Sequence, residues 1–561
     1  MSFRWDESFG TLVVHFSHRF FDTDTPSEES VPRHRLIQFL ALVTVVSPML
    51  MVLVIYGAQG LQIRVGGFDF AWLQAGAHFA LVSYAMAVMG LVMTFSWDSL
   101  FPDKRDYLIL TSLPISPKRL FAAKSVSVAV ILFLFAIAAN AVLTVFVAFI
   151  EPRALVGHVV GVFGGSLFAA LFFTSLQGIL INCLPVSVFR RVSPSIQMIA
   201  MTLLLLIVLV MPLIVLSLRP LVLINSPLLD YFPPAWFLGT YESLSFSVSA
   251  VPQTGIWAWT AVKMTAVVTL LVVFSYGVGY RRHARRLLES TDASNLRPEF
   301  LNRTGTRVLH AVLQTNAYQR AAFDFIGKIS NRSSKHRISA ALYSGLGLAL
   351  ALSSLFVIKP REPFPIGLSM SGILQAPAAL SFLVVAGWRS TFGLPHELQA
   401  NWIFQMTSRA GAADFRKAIR KWLFVCRIVP LYVVAACFEF VWFEGAVAIA
   451  HLTFDLVMTA FLIEAFFFGF RKVPFTCTYL QNKLQLAFYA VAYLAAYTTY
   501  TTLVVELKGW VAADSQHLVR FLAVSSITFG SILIYRSLTR AETTTFIYDE
   551  PDPVYQQLNL T

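Results

Sequence analysis

Residues 98–124 read DSLFPDKRDYLILTSLPISPKRLFAAK and separate two long apolar segments of the chain. The stretch holds eight charged side chains, which are Asp98, Asp103, Lys104, Arg105, Asp106, Lys118, Arg119 and Lys124. A charged side chain at the centre of a bilayer costs about 2.5–3.5 kcal/mol on insertion scales, so this cluster must project into water. Its middle part predicts a short amphipathic helix that is stopped by Pro114 and Pro117. We expect this helix to lie under the membrane and to present one face to a soluble partner.

The composition predicts an all-α integral membrane protein. Of the 561 residues, 57% are hydrophobic and 13% are charged, whereas soluble domains have about 25% charged residues. We interpret the net charge of +13 as an excess of Lys and Arg that holds loops on the cytoplasmic side, not as a nucleic-acid-binding surface. The four cysteines have no metal-ligand spacing, so we expect no metal site and interpret them as reduced, structural residues.

Apolar runs of about 20 residues predict about twelve transmembrane helices, six in each half of the chain. They cover residues 36–57, 72–97, 125–150, 159–182, 196–218, 256–280, 338–358, 369–388, 422–443, 446–470, 484–507 and 518–535. Amphipathic segments at 3–21 and 314–330 predict interfacial helices. The expected domains are a first half at 1–290, a cytosolic linker with the second interfacial helix at 291–337, a second half at 338–535 and a cytosolic tail at 536–561.

The distribution of basic residues predicts the orientation, because Lys and Arg accumulate in cytoplasmic loops. With both termini in the cytosol, most loop Lys and Arg residues of the first half fall on the inner side. We therefore expect a multi-pass protein of the bacterial cytoplasmic (inner) membrane. The long outer segment at 219–255 is rich in proline and aromatic residues, which predicts short helices at the membrane interface.

The second half repeats landmarks of the first half at offsets near 300 residues. The matching landmarks are His34-Arg35 with His336-Arg337, Trp97 with Trp388, Phe101-Pro102 with Leu394-Pro395, and Leu184 with Val473. Six spans in each copy give both copies the same orientation. The pattern therefore predicts two parallel six-helix repeats, of which the second is degenerate.

The stretch at 98–124 resembles the loop between the second and third spans of ABC transporter permeases of the type 2 exporter class. The resemblance covers the layout of residues 1–290, is specific in sequence over about 103–124, and makes the whole chain similar to two fused six-span half-permeases. In that family the loop carries a coupling helix that docks on an ATPase subunit. The resemblance implies this role for Asp103, Lys104, Arg105, Asp106, Tyr107, Leu113 and Pro114, and the repeat extends it to Pro395 and Glu397 in a second loop at 389–421.

The sequence contains no GxxxxGK[ST] loop of the kind that binds nucleotide phosphates. ATP and Mg²⁺ are therefore expected on a separate subunit, and this chain is expected to hold no cofactor. HExxH, GxSxG and CxxC are also absent from the sequence, so we do not expect an enzyme. The expected partners are ABC ATPase subunits and membrane lipid, with no nucleic acid.

Ionisable residues inside predicted spans are the remaining candidates for function. They are Lys263, Arg427, His451, Asp455 and Glu464, together with Glu439 and Glu444 near the outer end of the ninth predicted span. His451 and Asp455 are four residues apart and share a helix face, whereas Glu464 faces elsewhere. These residues could line a polar pathway or relay protons. The alternative, which we favour, is a packing role such as a pair between Arg427 and Asp455 or Glu464.

Three functions are compatible with these patterns. The first is the permease subunit of an ATP-driven exporter, with ATPase subunits docked on its cytosolic loops. The second is a proton-coupled secondary transporter that uses His451, Asp455 and Glu464. The third is a non-transporting scaffold subunit of a membrane complex.

Overall fold

A computed structural model describes residues 5–19, 69–97, 115–245, 250–289, 316–358, 366–396, 412–470, 472–476 and 483–538. It also describes scattered residues within 44–63 and the single residue 406. The ATPase-coupling candidates Asp103 to Tyr107, Leu113, Pro114 and Glu397 lie outside these ranges, as do most of the predicted span at 36–57, residues 290–315 and the end of the tail. Within the described ranges the chain is helical apart from one two-stranded hairpin, β1 (Phe356–Ile358) and β2 (Ile366–Leu368).

The helices of the first part of the chain are α1 (Trp5–Arg19), α2 (Phe70–Phe95), α3 (Pro117–Ile150), α4 (Leu155–His158), α5 (Gly164–Cys183), α6 (Val186–Leu223), α7 (Pro227–Asp230), α8 (Pro233–Leu244) and α9 (Thr254–Glu289). Those of the second part are α10 (Ala317–Arg332), α11 (Ser334–Ser354), α12 (Met370–Thr391), α13 (Ala412–Leu423), α14 (Val429–Trp442), α15 (Gly445–Phe466), α16 (Lys483–Ala513) and α17 (Ser515–Leu538). A 3-10 turn (Pro152–Ala154) precedes α4, and π-helical turns join α4 to α5 (Val159–Phe163) and α13 to α14 (Phe424–Ile428).

Nine helical segments among the described residues are long and apolar enough to cross a membrane. They are Phe70–Phe95, Arg119–Ile150, Pro152–Cys183, Val192–Leu223, Thr254–Tyr276, Met370–Thr391, Asp414–Trp442, Gly445–Phe466 and Ser515–Tyr535. Each overlaps one of the predicted spans. Helices α11 and α16 cover two further predicted spans but are not among the nine, so the chain is an all-α multi-pass protein whose count of twelve stays a prediction.

The third predicted span begins earlier than expected, at Pro117 instead of about residue 125. Proline fits the first position of a helix, because the N–H that it lacks would have no partner there. Ser116 caps this end by accepting a hydrogen bond from the Arg119 N–H. The basic end of the stretch at 98–124 therefore belongs to the spanning helix itself.

The segment between the fifth and sixth predicted spans folds as expected into short helices, α7 and α8. Both begin with proline, and the Trp236 indole donates to the Asp230 carbonyl at 2.7 Å. Trp257 of α9 donates to the Asp230 carboxylate at 3.0 Å. These two bonds tie the last residue of α7 to both α8 and α9.

The chain divides into two compact units. Unit 1 comprises Met1–Ser193, Ala200–Asn295 and Val357–Gly367, and unit 2 comprises Pro194–Ile199, Leu296–Phe356 and Leu368–Thr561. In unit 1, α2 is the most deeply buried candidate span and packs on α5 and α8. The peripheral helix α1 packs on the start of α3, where Leu12 and Phe16 contact Leu120 and Ala123.

In unit 2, α12 holds the central position and packs on α11, α15 and α16. Phe382, Val385 and Ala386 of α12 lie in the main apolar core of the unit. The peripheral helix α10 packs on α13, with Ala322, Phe323 and Ile326 in the same core. In each unit, therefore, a peripheral helix contacts the helix in which the predicted ATPase-docking loop ends.

Candidate functional site

An aromatic platform occupies the end of unit 2 that is predicted to face the cytosol. We define it by its six rings, Phe325, Trp388, Phe392, Phe415, Trp422 and Phe475. Trp388 and Trp422 are 4.9 Å apart between ring centroids, and Phe392 and Phe475 are 5.4 Å apart. The rings come from α10, from α12 and the residue that caps it, from α13 and from the turn at 472–476, so the platform joins four separate parts of the chain.

Backbone hydrogen bonds fix the turn that leads from α12 into the predicted coupling loop at 389–421. The Phe475 N–H donates to the Phe392 carbonyl at 2.9 Å, and the His396 N–H donates to the Phe475 carbonyl at 2.8 Å. Phe475 adopts φ +67°, a conformation that is uncommon for a residue with a side chain. These two bonds hold it there, and they place Pro395 beside the turn at 472–476.

His336 adds a third tie to the same turn. Its Nε2–H donates to the Leu394 carbonyl at 2.9 Å, and its Nδ1 lies 2.6 Å from the Ser333 hydroxyl. Burial lowers the pKa of His336, so the neutral imidazole that makes both bonds is favoured. The sequence marks His336 as part of a basic pair at the start of a predicted span, and the structure buries its side chain completely.

The far end of the same loop is attached through α13. The Asp414 carboxylate accepts from the Gln319 amide at 2.8 Å and from the Asn316 amide at 3.1 Å. Helix α13 then continues through the π turn into α14. The predicted coupling loop of unit 2 is therefore attached to packed structure on both sides.

Arg427 and Glu464 have partners that differ from the predicted pairs. The Arg427 guanidinium lies over the rings of Trp388 and Trp422, 4.4 and 4.9 Å from their centroids. Glu464 pairs with Arg420 at 3.4 Å. A pair of Arg427 with Asp455 or Glu464 is therefore not formed. Lys263 lies on an exposed face of α9.

His451 and Asp455 belong to a buried cluster of four charged or titratable side chains in unit 2. Lys508 Nζ lies 3.0 Å from Glu439 Oε1 and 2.8 Å from Asp455 Oδ2. His451 Nδ1 lies 3.1 Å from Glu439 Oε2. We call Glu439, His451, Asp455 and Lys508 the four-residue cluster. Its members come from α14, α15 and α16, and their side chains are at most 3% exposed.

Sequence reasoning missed Lys508, because it lies one residue beyond the predicted span at 484–507. Its helical spacing carries a signal that would have found it. The buried residues of α16 in this region are Thr501, Val504, Lys508 and Val511, which recur at three- and four-residue intervals on one face. A lysine within such a stripe is directed into the protein.

Unit 1 has a buried polar cluster of its own at the end predicted to face outward. His78 Nδ1 lies 2.6 Å from Glu242 Oε1, and its Nε2 lies 3.2 Å from Glu151 Oε2. The ring of Tyr241 stacks on His78 at 4.0 Å, and burial raises the pKa of this tyrosine far above its usual value. Sequence reasoning missed His78, although its position inside the predicted span at 72–97 is a signal for a buried titratable residue.

Among the described residues, no group of three or more His, Cys, Asp or Glu side chains has the geometry of a metal site. No family model, no curated protein and no solved structure matches the chain. The fold and these clusters define the class as an all-α, multi-pass membrane protein with buried polar clusters.

Proposed function

We propose that the chain is the membrane-spanning permease subunit of an ATP-driven exporter, which works with ATPase subunits made by other chains. The observation that carries the proposal is the two-sided attachment of the predicted coupling loop in unit 2. Its start is tied to Phe475 and His336, and its end is tied to α10 through Asp414. A soluble subunit that moved this loop would move α12 and α14 with it.

Unit 1 supports the same arrangement. The predicted loop at 98–114 precedes α3 in the sequence, and α1 lies against the first turns of that helix. Phe16 is completely buried there, Lys124 Nζ lies 5.1 Å from its ring centroid, and the hydroxyls of Ser17 and Ser127 are 2.9 Å apart. In both units the helix in which the predicted docking loop ends thus contacts a peripheral helix.

We further propose that the two units are copies of one six-span plan in the same orientation. The peripheral helices α1 and α10 contact α3 and α13, and the second long helices α2 and α12 hold the central positions. Trp97 and Trp388 are both buried near the ends of these central helices. Sequence landmarks and helix contacts thus occur in the same order in both units.

The test is co-purification with an ATPase. The tagged chain is extracted from its native membrane, and the eluate is assayed for ATP hydrolysis and for a polypeptide labelled by azido-ATP. We expect the combined substitution Asp103→Lys and Asp106→Lys to reduce both signals more than roughly tenfold, because it reverses two charges in the segment proposed to dock on the ATPase, and mismatched charges at an interface cost several kcal/mol.

Asp514→Lys is the matched control, because Asp514 is exposed and lies in a loop predicted to face outward. It should leave both signals unchanged, and gel filtration should show that both variants are folded. Equal ATPase recovery with the double substitution and the wild type would contradict the proposed docking site. No ATPase with the wild type would leave a secondary transporter or a scaffold as the function.

A further inference from the structure

We infer that the four-residue cluster of unit 2 is a binding site for one exchangeable proton. This inference does not depend on the proposed ATPase partner. It follows from the number of charges in the cluster, from its burial, and from two side-chain atoms that are left without hydrogen bonds. The ligand is a proton, and the acceptors are the His451 imidazole and the Asp455 carboxylate.

The charges of the cluster do not balance without an added proton. Lys508 contributes one positive charge and lies within 3.0 Å of both Glu439 and Asp455, which contribute two negative charges when ionised. A neutral His451 leaves a net charge of −1. An uncompensated charge is costly to bury away from water, and the Lys508 side chain is 0% exposed. One further proton makes the cluster neutral.

Two atoms in the cluster are free to receive this proton. His451 Nε2 and Asp455 Oδ1 are buried and have no hydrogen-bond partner among the described residues. A proton on Nε2 gives an imidazolium that still donates from Nδ1 to Glu439. A proton on Oδ1 gives a neutral carboxyl whose Oδ2 still accepts from Lys508. Both states keep the contacts that the structure shows.

Among the described residues, the side chains that pack around the cluster are tyrosines, small polar residues, aromatic rings and Arg427. Tyr432 from α14 donates to or accepts from the Thr459 hydroxyl at 2.8 Å, and Tyr500 from α16 lies nearby. Tyrosine hydroxyls ordinarily ionise near pH 10. The neighbouring helix α12 presents Ser381, α17 packs alongside through Phe521 on Phe454, and the π turn directs Arg427 towards Trp388 and Trp422.

The position of the cluster gives the proton a short route to one end of the helices. Glu439 lies three residues before the last residue of α14, and His451 lies six residues after the first residue of α15. At 1.5 Å per residue these separations are about 5 and 9 Å along the helix axes. The turn between α14 and α15 lies at this end of the helices and is predicted to face outward. We therefore expect exchange with the outer side.

Infrared difference spectroscopy of the full chain in lipid nanodiscs tests the site. The pH is stepped from acid to base while the carboxylic-acid and imidazolium bands are recorded. We expect one proton per chain to be released in a transition that Asp455→Asn abolishes, because the amide removes one negative charge and leaves the cluster neutral. A transition in the carboxylic-acid band places the proton on a carboxylate of the cluster, and one in the imidazolium band places it on His451. Both results support the inference.

Asp514→Asn and His517→Gln are the controls, since both residues are exposed and His517 stacks on Trp510. They should leave the transition of the cluster in place. His451→Gln provides a second variant in case Asp455→Asn is unstable, and it should shift or remove the same transition. An unaltered titration in both cluster variants would overturn the inference. A transition that NaCl displaces and choline chloride does not would assign the site to a metal cation, which also overturns it.

Discussion

His78 interacts through both ring nitrogens with carboxylates, those of Glu242 and Glu151. A neutral imidazole carries a single N–H, so two carboxylate acceptors require an imidazolium or a protonated carboxyl. Burial raises the pKa of Glu151, but the hydrogen bond and charge of His78 lower it by more, and the pKa lies below its usual value. At the residue scale, the geometry therefore favours an ionised Glu151 paired with His78.

The lowered pKa of Glu151 predicts a loss of stability in acid. The contact contributes its full stability above the unfolded-state pKa of about 4.5, and it is lost as the pH falls through the lower folded-state value. Glu151→Gln should remove this acid sensitivity and cost about 0.5–1.5 kcal/mol at neutral pH. Thermal unfolding of unit 1 as a function of pH measures both effects. The exposed Glu444→Gln is the control, and equal acid sensitivity in the wild type and Glu151→Gln would refute the pairing.

The stacked position of Arg427 predicts that lysine cannot replace it. A guanidinium stacks flat on aromatic rings, whereas an ammonium is a compact and strongly hydrated charge. Arg427→Lys should destabilise unit 2 by about 0.5–2 kcal/mol through the loss of contact with Trp388 and Trp422. Denaturant unfolding followed by tryptophan fluorescence measures this change. Arg332→Lys at an exposed position should be neutral, and an equally neutral Arg427→Lys would show that the stacking is unimportant.

At the scale of elements, the attachment of α1 to α3 depends on one ring. Phe16 is completely buried between Leu12, Leu120 and Ala123, whereas Val14 on the other face of α1 is 54% exposed. Phe16→Ala should weaken this attachment by about 3–5 kcal/mol, the range for a buried phenylalanine. Because α1 is peripheral, we expect it to open locally while the rest of unit 1 stays folded.

Hydrogen exchange measures that local opening. The amides of Trp5–Arg19 should exchange faster in Phe16→Ala, while those of α2 keep their protection. Val14→Ala is the matched control and should exchange like the wild type. If α1 keeps its protection in Phe16→Ala, the contact with α3 is not what holds the helix in place.

At the scale of the whole molecule, the predicted orientation assigns opposite sides of the membrane to two exposed residues. Arg332 ends α10 on the side predicted to be cytosolic, and Asp514 lies between α16 and α17 on the side predicted to be outer. Starting from a chain whose four cysteines are replaced by alanine, we expect Asp514→Cys to react with an impermeant maleimide in intact cells. Arg332→Cys should react only after lysis. The reverse result would invert the topology and place the predicted coupling loops outside.

The sequence by itself determined the all-α class, the positions of most long helices and the peripheral helices α1 and α10. These features depend on the length of apolar runs and on helical periodicity, which are local properties. It also placed His451 and Asp455 on one face of a helix, because a four-residue interval returns to the same side. The spacing does not determine which neighbouring helix packs against this face.

Only the tertiary structure decided which side chains contact each other across helices. It brought Lys508 to Asp455 and Glu439, placed Arg427 on two tryptophans, and buried His336 under the turn at Leu394. Periodicity fixes the direction of a side chain within its own helix, but the neighbour depends on how separate helices pack. The charge of a buried cluster likewise depends on all the groups gathered there, and Lys508 lies 53 residues from Asp455 and 69 from Glu439 along the chain.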